Sequence, residues 1–379
     1  MSNLATVTQL TATTPQLPVA WYFDPKIHAL EQKYLFSRGP NYIGHELMVP
    51  SIGDYFPLEG LDFSKMLVRN DIGVELIGNI CRHRQSIIFK EKGNGQNIVC
   101  PLHRWTYDLE GRLLGAPHFP RNPCKHLPKT TLQNWRGMLF DSKRDIANDL
   151  ANLGFAKDID FSDYVLDKVE VKQYDLNWKT FIEVYLEDYH VEPFHPGLGN
   201  FVNCDDLRWE FGEHYSVQTI GVKNALAKAG SATYDKWHEA VRNSRNGVAP
   251  PHGAIWMVYY PNIMIEWYPH ALVISTLLAT SAETCTNVVE YYYPEDIVLF
   301  EREFIEAEQQ AYAETALEDD EICRRMQAGR RALYRQGVNE VGPYQSPMED
   351  GVVHFHEFLR RQIEPHFATR ATAIPTLAR

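Results

Sequence analysis

Two short segments that each pair a cysteine with a histidine constrain this 379-residue chain more than any other feature. The first holds Cys81 and His83, the second holds Cys100 and His103, and their spacings are Cys-x-His and Cys-x2-His. A common zinc finger instead needs two closely spaced cysteines and a helix that carries both histidines. Two thiolates and two imidazoles are the ligands of a [2Fe–2S] centre in which histidines replace two cysteines on one iron. We therefore predict that these four residues bind such a cluster.

A second metal-binding pattern, Glu187-x2-His190-x4-His195, lies between Trp178 and Pro196. Residues three apart share one face of a helix, so we expect Glu187 to lie beside His190 on a helix. Pro193 should end that helix, and His195 would then return from the following turn. Two imidazoles and one distant carboxylate form the ligand set of non-haem ferrous oxygenases. Two structural histidines on an amphipathic segment are the alternative interpretation, and the upstream iron motif argues against it.

The composition excludes several classes of partner. The net charge is −12 and no basic cluster is present, which argues against nucleic acid and against an anionic membrane surface. The opening, Met1 to Val19, lacks the basic and apolar regions of a signal peptide. The longest apolar run, near Ala271 to Ala279, is too short to cross a membrane. We expect a cytoplasmic protein without a transmembrane segment, whose six cysteines are reduced.

Strand-like segments in the N-terminal third are short and are separated by Gly, Asp and Pro. This pattern predicts a small antiparallel barrel or sandwich. We place Gly93-Asn94-Gly95 at the tip of a hairpin and not in a phosphate loop, because the third glycine of such a loop is missing. Strands are predicted at 42–49, 65–69, 73–78, 97–100, 106–108 and 137–141.

The rest of the chain alternates between helical and strand-like patterns. Apolar spacing predicts helices at 21–39, 145–153, 234–243 and 298–334, besides the one that begins at Trp178. Antiparallel strands are predicted at 165–174, 209–219, 254–260, 262–268, 271–279 and 286–293. His354 and His356 alternate in a predicted strand at 352–358, where we prefer a structural role to metal binding.

The segments Cys81-Arg-His-Arg84 and Cys100-Pro-Leu-His-Arg-Trp-Thr-Tyr-Asp108 resemble the cluster loops of Rieske non-haem iron oxygenases, and the Glu187 motif resembles their mononuclear iron motif. Within that family, Asn177-Trp-Lys resembles the choline monooxygenase and carnitine oxygenase branch. The resemblance implies an α+β protein: an N-terminal all-β Rieske [2Fe–2S] domain, then a catalytic domain whose antiparallel sheet wraps around long helices in a helix-grip or START-like arrangement. The expected parts are a leader and helix at 1–40 that pack on the catalytic domain, a Rieske domain at 41–145 and a catalytic domain at 146–379.

The resemblance also assigns roles to single residues. The family's iron-binding aspartate precedes a Gln-x-Gly, which implies Asp319, with Asp320 as the alternative, although such a run of carboxylates is also typical of a solvated face. Glu187 stands where relatives have a carboxylate that joins His190 to His103 of a neighbouring subunit in a head-to-tail trimer. Gln85 replaces a glycine that is usual in the family, so the backbone angle of its loop could differ.

The function that the resemblance implies is that of an alpha, or terminal oxygenase, subunit. It would use O2 and electrons from a separate NAD(P)H reductase, directly or through a ferredoxin, to hydroxylate or oxidatively demethylate a small organic substrate. A dioxygenase that forms a cis-diol on an aromatic ring is the alternative, and a Rieske electron carrier is a third hypothesis. The aromatic residues Trp256, Tyr259, Trp267 and Tyr268 suit a quaternary ammonium, an aromatic or a sterol-like substrate, or simply a packed core.

Overall fold

The computed structural model describes residues 15–367, so most of the predicted leader lies outside the described residues. The range predicted as one helix at 21–39 is divided into a short 3₁₀ helix (Val19–Tyr22), helix α1 (Pro25–Tyr34) and a second 3₁₀ helix (Phe36–Arg38). Asp24 caps α1, because its side chain accepts a hydrogen bond from the backbone N–H of Lys26. Between residues 15 and 367, no helix is both long enough and apolar enough to serve as a membrane span.

The N-terminal β region consists of short strands in three small antiparallel sheets. The strands are β1 (Tyr42–His45), β2 (Asp54–Pro57), β3 (Lys65–Arg69), β4 (Val74–Gly78), β5 (Gly93–Asn94), β6 (Ile98–Val99), β7 (Thr106–Tyr107), β8 (Leu113–Gly115), β9 (Lys129–Thr130), β10 (Gln133–Trp135) and β11 (Met138–Phe140). Their orders in the three sheets are β1-β11-β10, β5-β2-β3-β4-β9 and β6-β7-β8.

The hairpin tip that we predicted at Gly93-Asn94-Gly95 is wrong. Gly93 and Asn94 pair with Tyr55 and Asp54 as an edge strand. The ring of Tyr55 occupies the space that a Cβ at Gly93 would need, so the close approach of this ring requires a glycine.

A seven-stranded antiparallel sheet follows. Its strands are β12 (Tyr164–Tyr174), β13 (Val202–Phe211), β14 (Tyr215–Val222), β15 (Ala254–Tyr259), β16 (Ile263–Tyr268), β17 (Ala271–Ala279) and β18 (Cys285–Pro294), in the order β12-β18-β17-β16-β15-β14-β13. The single strand predicted at 209–219 is wrong, because the chain reverses there into a hairpin in which Phe211 pairs with Ser216. The reversal is closed by a hydrogen bond from the backbone N–H of Gly212 to the carbonyl of Tyr215 (2.9 Å).

Helices cover one face of this sheet, and the N-terminal β region covers the other. Alternation along β15 shows the division, since Ile255, Met257 and Tyr259 join the core shared with the β region while Trp256 faces the helices. The α+β class is therefore confirmed. The remaining helices are α2 (Ile146–Asp149), α3 (Trp178–Tyr185), α4 (Val191–Phe194), α5 (Leu198–Phe201), α6 (Ala232–Ser244), α7 (Glu295–Phe300), α8 (Arg302–Arg335) and α9 (Asp350–Ile363).

The C-terminal strand that we predicted at 352–358 is wrong, because this segment lies within α9. Its buried residues Val352, Phe355 and Leu359 recur every three or four positions, which is the period of a helix. His356 has a structural role there, since its Nδ1 contacts the Tyr344 hydroxyl at 2.6 Å and its Nε2 contacts Glu183 at 2.9 Å.

Glu183 on α3 is the centre of a buried network that joins four segments. Its carboxylate accepts hydrogen bonds from the Tyr22 hydroxyl, from Arg330 on α8 (2.6 Å) and from His356 on α9 (2.9 Å). Burial would raise the pKa of Glu183, but Arg330 and His356 outweigh it and lower the pKa to about 2. The network therefore fixes α3, and the metal motif that follows it, against α8 and α9.

Replacing Arg330 with Met should lower the free energy of unfolding by ~3–5 kcal/mol, because the buried carboxylate of Glu183 loses its cationic partner. Urea denaturation at neutral pH measures this change. Since folding lowers the pKa of Glu183, its contribution is complete above its ordinary value of 4.5 and is lost as the pH falls toward about 2.

The matched control is Arg325→Met, on the same helix. Arg325 pairs with Glu321 at the surface, where both side chains are more than half exposed (70% and 54%). Its loss should change the free energy of unfolding by no more than ~0.5 kcal/mol. Equal losses for the two variants would show that the buried network contributes no more than a surface pair.

Candidate metal sites and the adjoining cavity

The loops that hold Cys81 and Cys100 share one backbone design. The carbonyl of Cys81 accepts a hydrogen bond from the N–H of Gln85 (3.1 Å), and the carbonyl of Cys100 accepts one from the N–H of Arg104 (3.0 Å). Gln85 and Arg104 both adopt left-handed backbone angles, with φ of 54° and 58°. Gln85 thus keeps a conformation that suits glycine, at a cost of ~1 kcal/mol or more.

The two thiols of these loops are buried side by side. Cys81 and Cys100 are 2% and 1% exposed, and the Tyr107 hydroxyl lies 3.5 Å from the Cys81 sulfur. Burial raises the pKa of the Cys100 thiol, and the neighbouring Cys81 adds to the effect. A cation is needed to hold both sulfurs as thiolates in this setting.

The two imidazoles of the loops face each other near the surface. The ring centroids of His83 and His103 are 4.6 Å apart, and His83 stacks on Trp105 at 5.0 Å. His83 Nδ1 is buried and has no hydrogen-bond partner among the described residues. A buried ring nitrogen without a partner, opposite a second imidazole and beside two thiols, fits the donor set of a histidine-ligated [2Fe–2S] cluster.

The second motif is shaped by a turn and not by the helix that we predicted. Helix α3 ends at Tyr185, and Glu187 reaches His190 across the turn that follows. Its two oxygens accept hydrogen bonds from the backbone N–H of His190 (3.0 Å) and from the Nδ1–H of the same residue (2.6 Å). Pro193 does not end a helix either, because it lies in the first turn of α4, where no backbone N–H is needed. His195 follows α4 directly.

Helix α8 completes a three-residue cluster by bringing Asp319 to the two histidines. The Nε2 atoms of His190 and His195 are 3.0 Å apart, and Asp319 Oδ1 lies 3.4 Å and 3.0 Å from them. These three atoms converge on one point, and Asp319 Oδ1 accepts no hydrogen bond there from the described residues. Asp320 points elsewhere and pairs with Arg324 at 3.0 Å. Of the two candidate aspartates, only Asp319 lies beside the histidines, so the geometry favours Asp319 over Asp320.

The Nδ1 atom of each histidine also donates a hydrogen bond to a carboxylate. Glu187 accepts from His190 Nδ1, and Glu318 accepts from His195 Nδ1 at 2.7 Å. Such contacts orient the Nε2 lone pairs of metal-binding histidines. Burial would lower the pKa of His190, but Asp319 and Glu187 outweigh it and raise the pKa to about 10, so the surroundings favour a positive charge at this point. Glu318 was not predicted from the sequence, because it lies within a run of carboxylates typical of a solvated face.

A cavity of about 90 Å³ adjoins this cluster between α8 and the sheet. Met264, Glu266 and Tyr268 line it from alternate positions of β16, as side chains on one face of a strand do. Of the four aromatic residues considered from the sequence, Trp256 and Tyr268 line the cavity, and Tyr259 lies in the core on the opposite face of the sheet. The α8 wall consists of Glu308, Ala311, Tyr312, Thr315, Ala316 and Asp319.

Two further buried carboxylates, Glu266 and Glu308, line this cavity. Glu266 is 3% exposed and accepts hydrogen bonds from the hydroxyls of Tyr268 (2.7 Å) and Tyr312 (3.0 Å). Glu308 is also 3% exposed and accepts from the Tyr293 hydroxyl. Burial raises the pKa of Glu266 to about 7 and that of Glu308 to about 8. The described residues that line the cavity include no lysine or arginine.

Comparisons with known proteins match both halves of the chain. The Rieske [2Fe-2S] domain model matches residues 42–135, and the model of the ring hydroxylating alpha subunit (catalytic domain) matches residues 158–365. The putrescine 2-hydroxylase of Ralstonia nicotianae is 62% identical over 96% of this chain and 100% of its own length. The putrescine 2-hydroxylase of Bordetella bronchiseptica is 53% identical over 95% of this chain and 87% of its own length.

More distant proteins share the architecture. The glycine betaine monooxygenase oxygenase subunit of Chromohalobacter salexigens is 26% identical over 89% of this chain and 84% of its own length. A solved quaternary ammonium Rieske monooxygenase superposes with a TM-score of 0.73 over 93% of this chain and 96% of its own, at 17% identity. This likeness confirms the predicted arrangement of a Rieske domain followed by a catalytic domain.

Asp319→Asn should abolish metal binding at the histidine cluster, because the variant replaces the carboxylate that, among residues 15–367, converges with the two imidazoles. Asp320→Asn is the matched control, since Asp320 pairs with Arg324 at the helix surface. Metal analysis of the two purified variants measures the effect, and both should keep the visible absorbance of the Cys/His cluster. Equal metal content in the two variants would contradict the assignment of Asp319.

Proposed function

The chain belongs to the family of Rieske non-haem iron oxygenase alpha subunits, and on that premise we propose that it hydroxylates a small aliphatic diamine such as putrescine. The cofactors are one Rieske [2Fe–2S] cluster and one mononuclear iron. When bound, they supply single electrons and a place where O2 is activated beside the substrate.

We assign the ligands from the donor atoms described above. Cys81 and Cys100 would hold one iron of the cluster, and His83 and His103 would hold the other. The mononuclear iron would be held by the three converging atoms of His190, His195 and Asp319, which leaves coordination positions open toward the cavity.

The protein's own contribution at the mononuclear site is to orient ligands and to hold protons. Glu187 and Glu318 each keep a proton on the Nδ1 of one histidine, so that both Nε2 lone pairs point to the same place. His195 is 1% exposed, so bulk water does not reach its ring. The aromatic walls of the cavity limit the water around the bound substrate.

The substrate class is supported above all by the charge of the cavity. Buried carboxylates are normally paired with cations, and Glu266 and Glu308 have no cationic side chain beside them in the described cavity lining. A protonated amine supplies that cation. The names of the Ralstonia and Bordetella relatives point to the same substrate class.

This cavity does not favour the cis-diol alternative, because an aromatic hydrocarbon would leave both buried carboxylates without a partner. The electron-carrier hypothesis leaves the converging atoms of His190, His195 and Asp319 without a role. Electron supply by a separate NAD(P)H reductase, directly or through a ferredoxin, a cytoplasmic location and a homotrimer remain parts of the proposal, and the family resemblance supports them.

The exposed residues around the two sites suit contact between subunits. His103 is exposed at the tip of its loop, and the adjacent Leu102 is 54% exposed. Tyr189, two residues from Glu187, is 59% exposed. We propose that in a head-to-tail trimer His103 of one subunit approaches Glu187 of the next, so that the carboxylate joins the two imidazoles.

Oxygen uptake with the native reductase and NADH tests the substrate proposal. Putrescine should stimulate uptake in stoichiometric balance with a singly hydroxylated product, identified by mass spectrometry. Choline, carnitine and naphthalene should stimulate far less, because none of them supplies two protonated primary amines. Turnover confined to a quaternary ammonium or an aromatic compound would contradict the proposal.

Glu187→Gln should keep both iron centres and lower turnover about 10- to 100-fold, because the neutral amide interrupts the link between the two imidazoles. A nearby control is Glu192→Gln, whose parent residue pairs with Lys223 at the surface. Rapid-mixing spectroscopy of the reduced cluster should show slow reoxidation by O2 and substrate in the Glu187 variant alone. Normal reoxidation in that variant would remove Glu187 from the electron path.

A further inference from the structure

The charges in the substrate cavity are unbalanced once the metal ligands are set aside. Four carboxylates line it, from Glu187, Glu266, Glu308 and Asp319. Asp319 faces the metal position and Glu187 holds His190, so each of these has a positive partner. Glu266 and Glu308 contact only tyrosine hydroxyls among the described residues. Two buried carboxyl groups of the described cavity lining thus have no cationic partner.

Glu266 is positioned by the sheet and clamped by neutral donors. It lies on β16 opposite Trp256 of β15, and the Trp256 Nε1–H donates to the Tyr268 hydroxyl at 2.9 Å. That hydroxyl in turn donates to one oxygen of Glu266, and Tyr312 donates to the other. A carboxylate has about four acceptor positions, so each oxygen keeps one free for a further donor. The tyrosines therefore orient the group without neutralising it.

Glu308 stands on the α8 wall of the cavity. It precedes Tyr312 by one turn of α8 and precedes Asp319 by eleven residues, an axial distance of ~16 Å at the usual helix rise. Glu266 is close enough to both Asp319 and Glu308 for their charges to affect one another. The order along the cavity is therefore the metal ligands, then Glu266, then Glu308.

We propose that Glu266 and Glu308 are two anchoring points for the two ammonium groups of a diamine, and that this pair makes the enzyme selective for diamines over monoamines and quaternary ammonium compounds. The inference rests on the proposed function and adds the residues that set its specificity. Two fixed ends would hold the carbon chain in one register beside the metal ligands.

The number of N–H donors distinguishes the diamine from the competing amines. A primary ammonium carries three N–H donors, as a lysine side chain does, and can use the free acceptor positions of a carboxylate. A quaternary ammonium has no N–H and relies on aromatic faces. A monoamine would occupy one carboxylate and leave the other buried without a cation, which is unfavourable. The raised pKa values of Glu266 and Glu308 show the cost of leaving them ionised and unpaired.

Titration calorimetry of the anaerobic, iron-loaded enzyme with putrescine and with n-butylamine tests the assignment. Glu266→Gln should weaken putrescine binding about 10- to 150-fold, the range for hydrogen bonds to charged groups. Glu308→Gln should weaken putrescine binding similarly and should not weaken n-butylamine binding, because a monoamine bound at Glu266 has no second ammonium to place at Glu308. Glu266→Asp, which keeps the charge, should retain part of the affinity.

Glu290→Gln is the matched control. Glu290 is 3% exposed and also accepts from two tyrosine hydroxyls, those of Tyr42 (2.6 Å) and Tyr292 (2.7 Å). It pairs with Ile274 in the sheet, whereas Glu266 pairs with the neighbouring Val273, so Glu290 points to the opposite face. Its variant should bind both amines as the wild type does, and the Rieske spectrum reports correct folding in every variant.

The outcomes separate this inference from the proposed function. Wild-type hydroxylation of putrescine with unchanged affinity in Glu266→Gln or in Glu308→Gln overturns the two-point assignment and leaves the function standing. Tight binding that depends on both carboxylates, without any hydroxylation, supports the anchoring pair and overturns the function. Absence of putrescine binding to the wild type overturns both.

Discussion

The approach of α8 to the segment between Glu187 and His195 is the contact on which the rest of the molecule depends. It brings the carboxylate of Asp319 from more than a hundred residues away to within 3.4 Å of both histidines. The same helix supplies Glu318 to His195 and the wall of the substrate cavity. A single helix thus positions Asp319, the orienting carboxylate of Glu318 and one wall of the cavity relative to the two histidines.

Buried charge is arranged in two different ways on either side of this contact. Around Glu183 the negative charge is paired within the protein, by Arg330 and His356, and its role is to hold helices together. Glu266 accepts hydrogen bonds only from neutral hydroxyls of the described residues, as Glu290 also does, but Glu266 lines the cavity beside the two histidines. This position in the cavity, and not the hydroxyl partners alone, supports a role in binding a cation.

Spacing along the sequence predicted correctly which residues come together. It was less successful in predicting the local structure that brings them together. The atoms of His190 and His195 converge as expected, yet a turn brings Glu187 to His190 where a helix was predicted, because a three-residue separation suits both. The strand predicted at 352–358 was wrong, since alternating histidines obscured a helical apolar period. The family resemblance implied the α+β class, and most strand positions followed from short alternating segments, whose period does not depend on distant contacts. Tertiary contacts were beyond the reach of such patterns: Glu318 and Glu266 were missed, because a carboxylate in an acidic run or in a strand gives no local sign of what it faces after folding.

Two separate iron centres within one chain are the basis of every functional step described above. Iron and acid-labile sulfide analysis of the purified protein, together with electron paramagnetic resonance of the dithionite-reduced sample, tests this most directly. We expect about three irons and two sulfides per chain, with the signal of a histidine-ligated [2Fe–2S] cluster. Zinc in place of iron, or a protein with no such signal when fully loaded, would contradict the presence of these two centres.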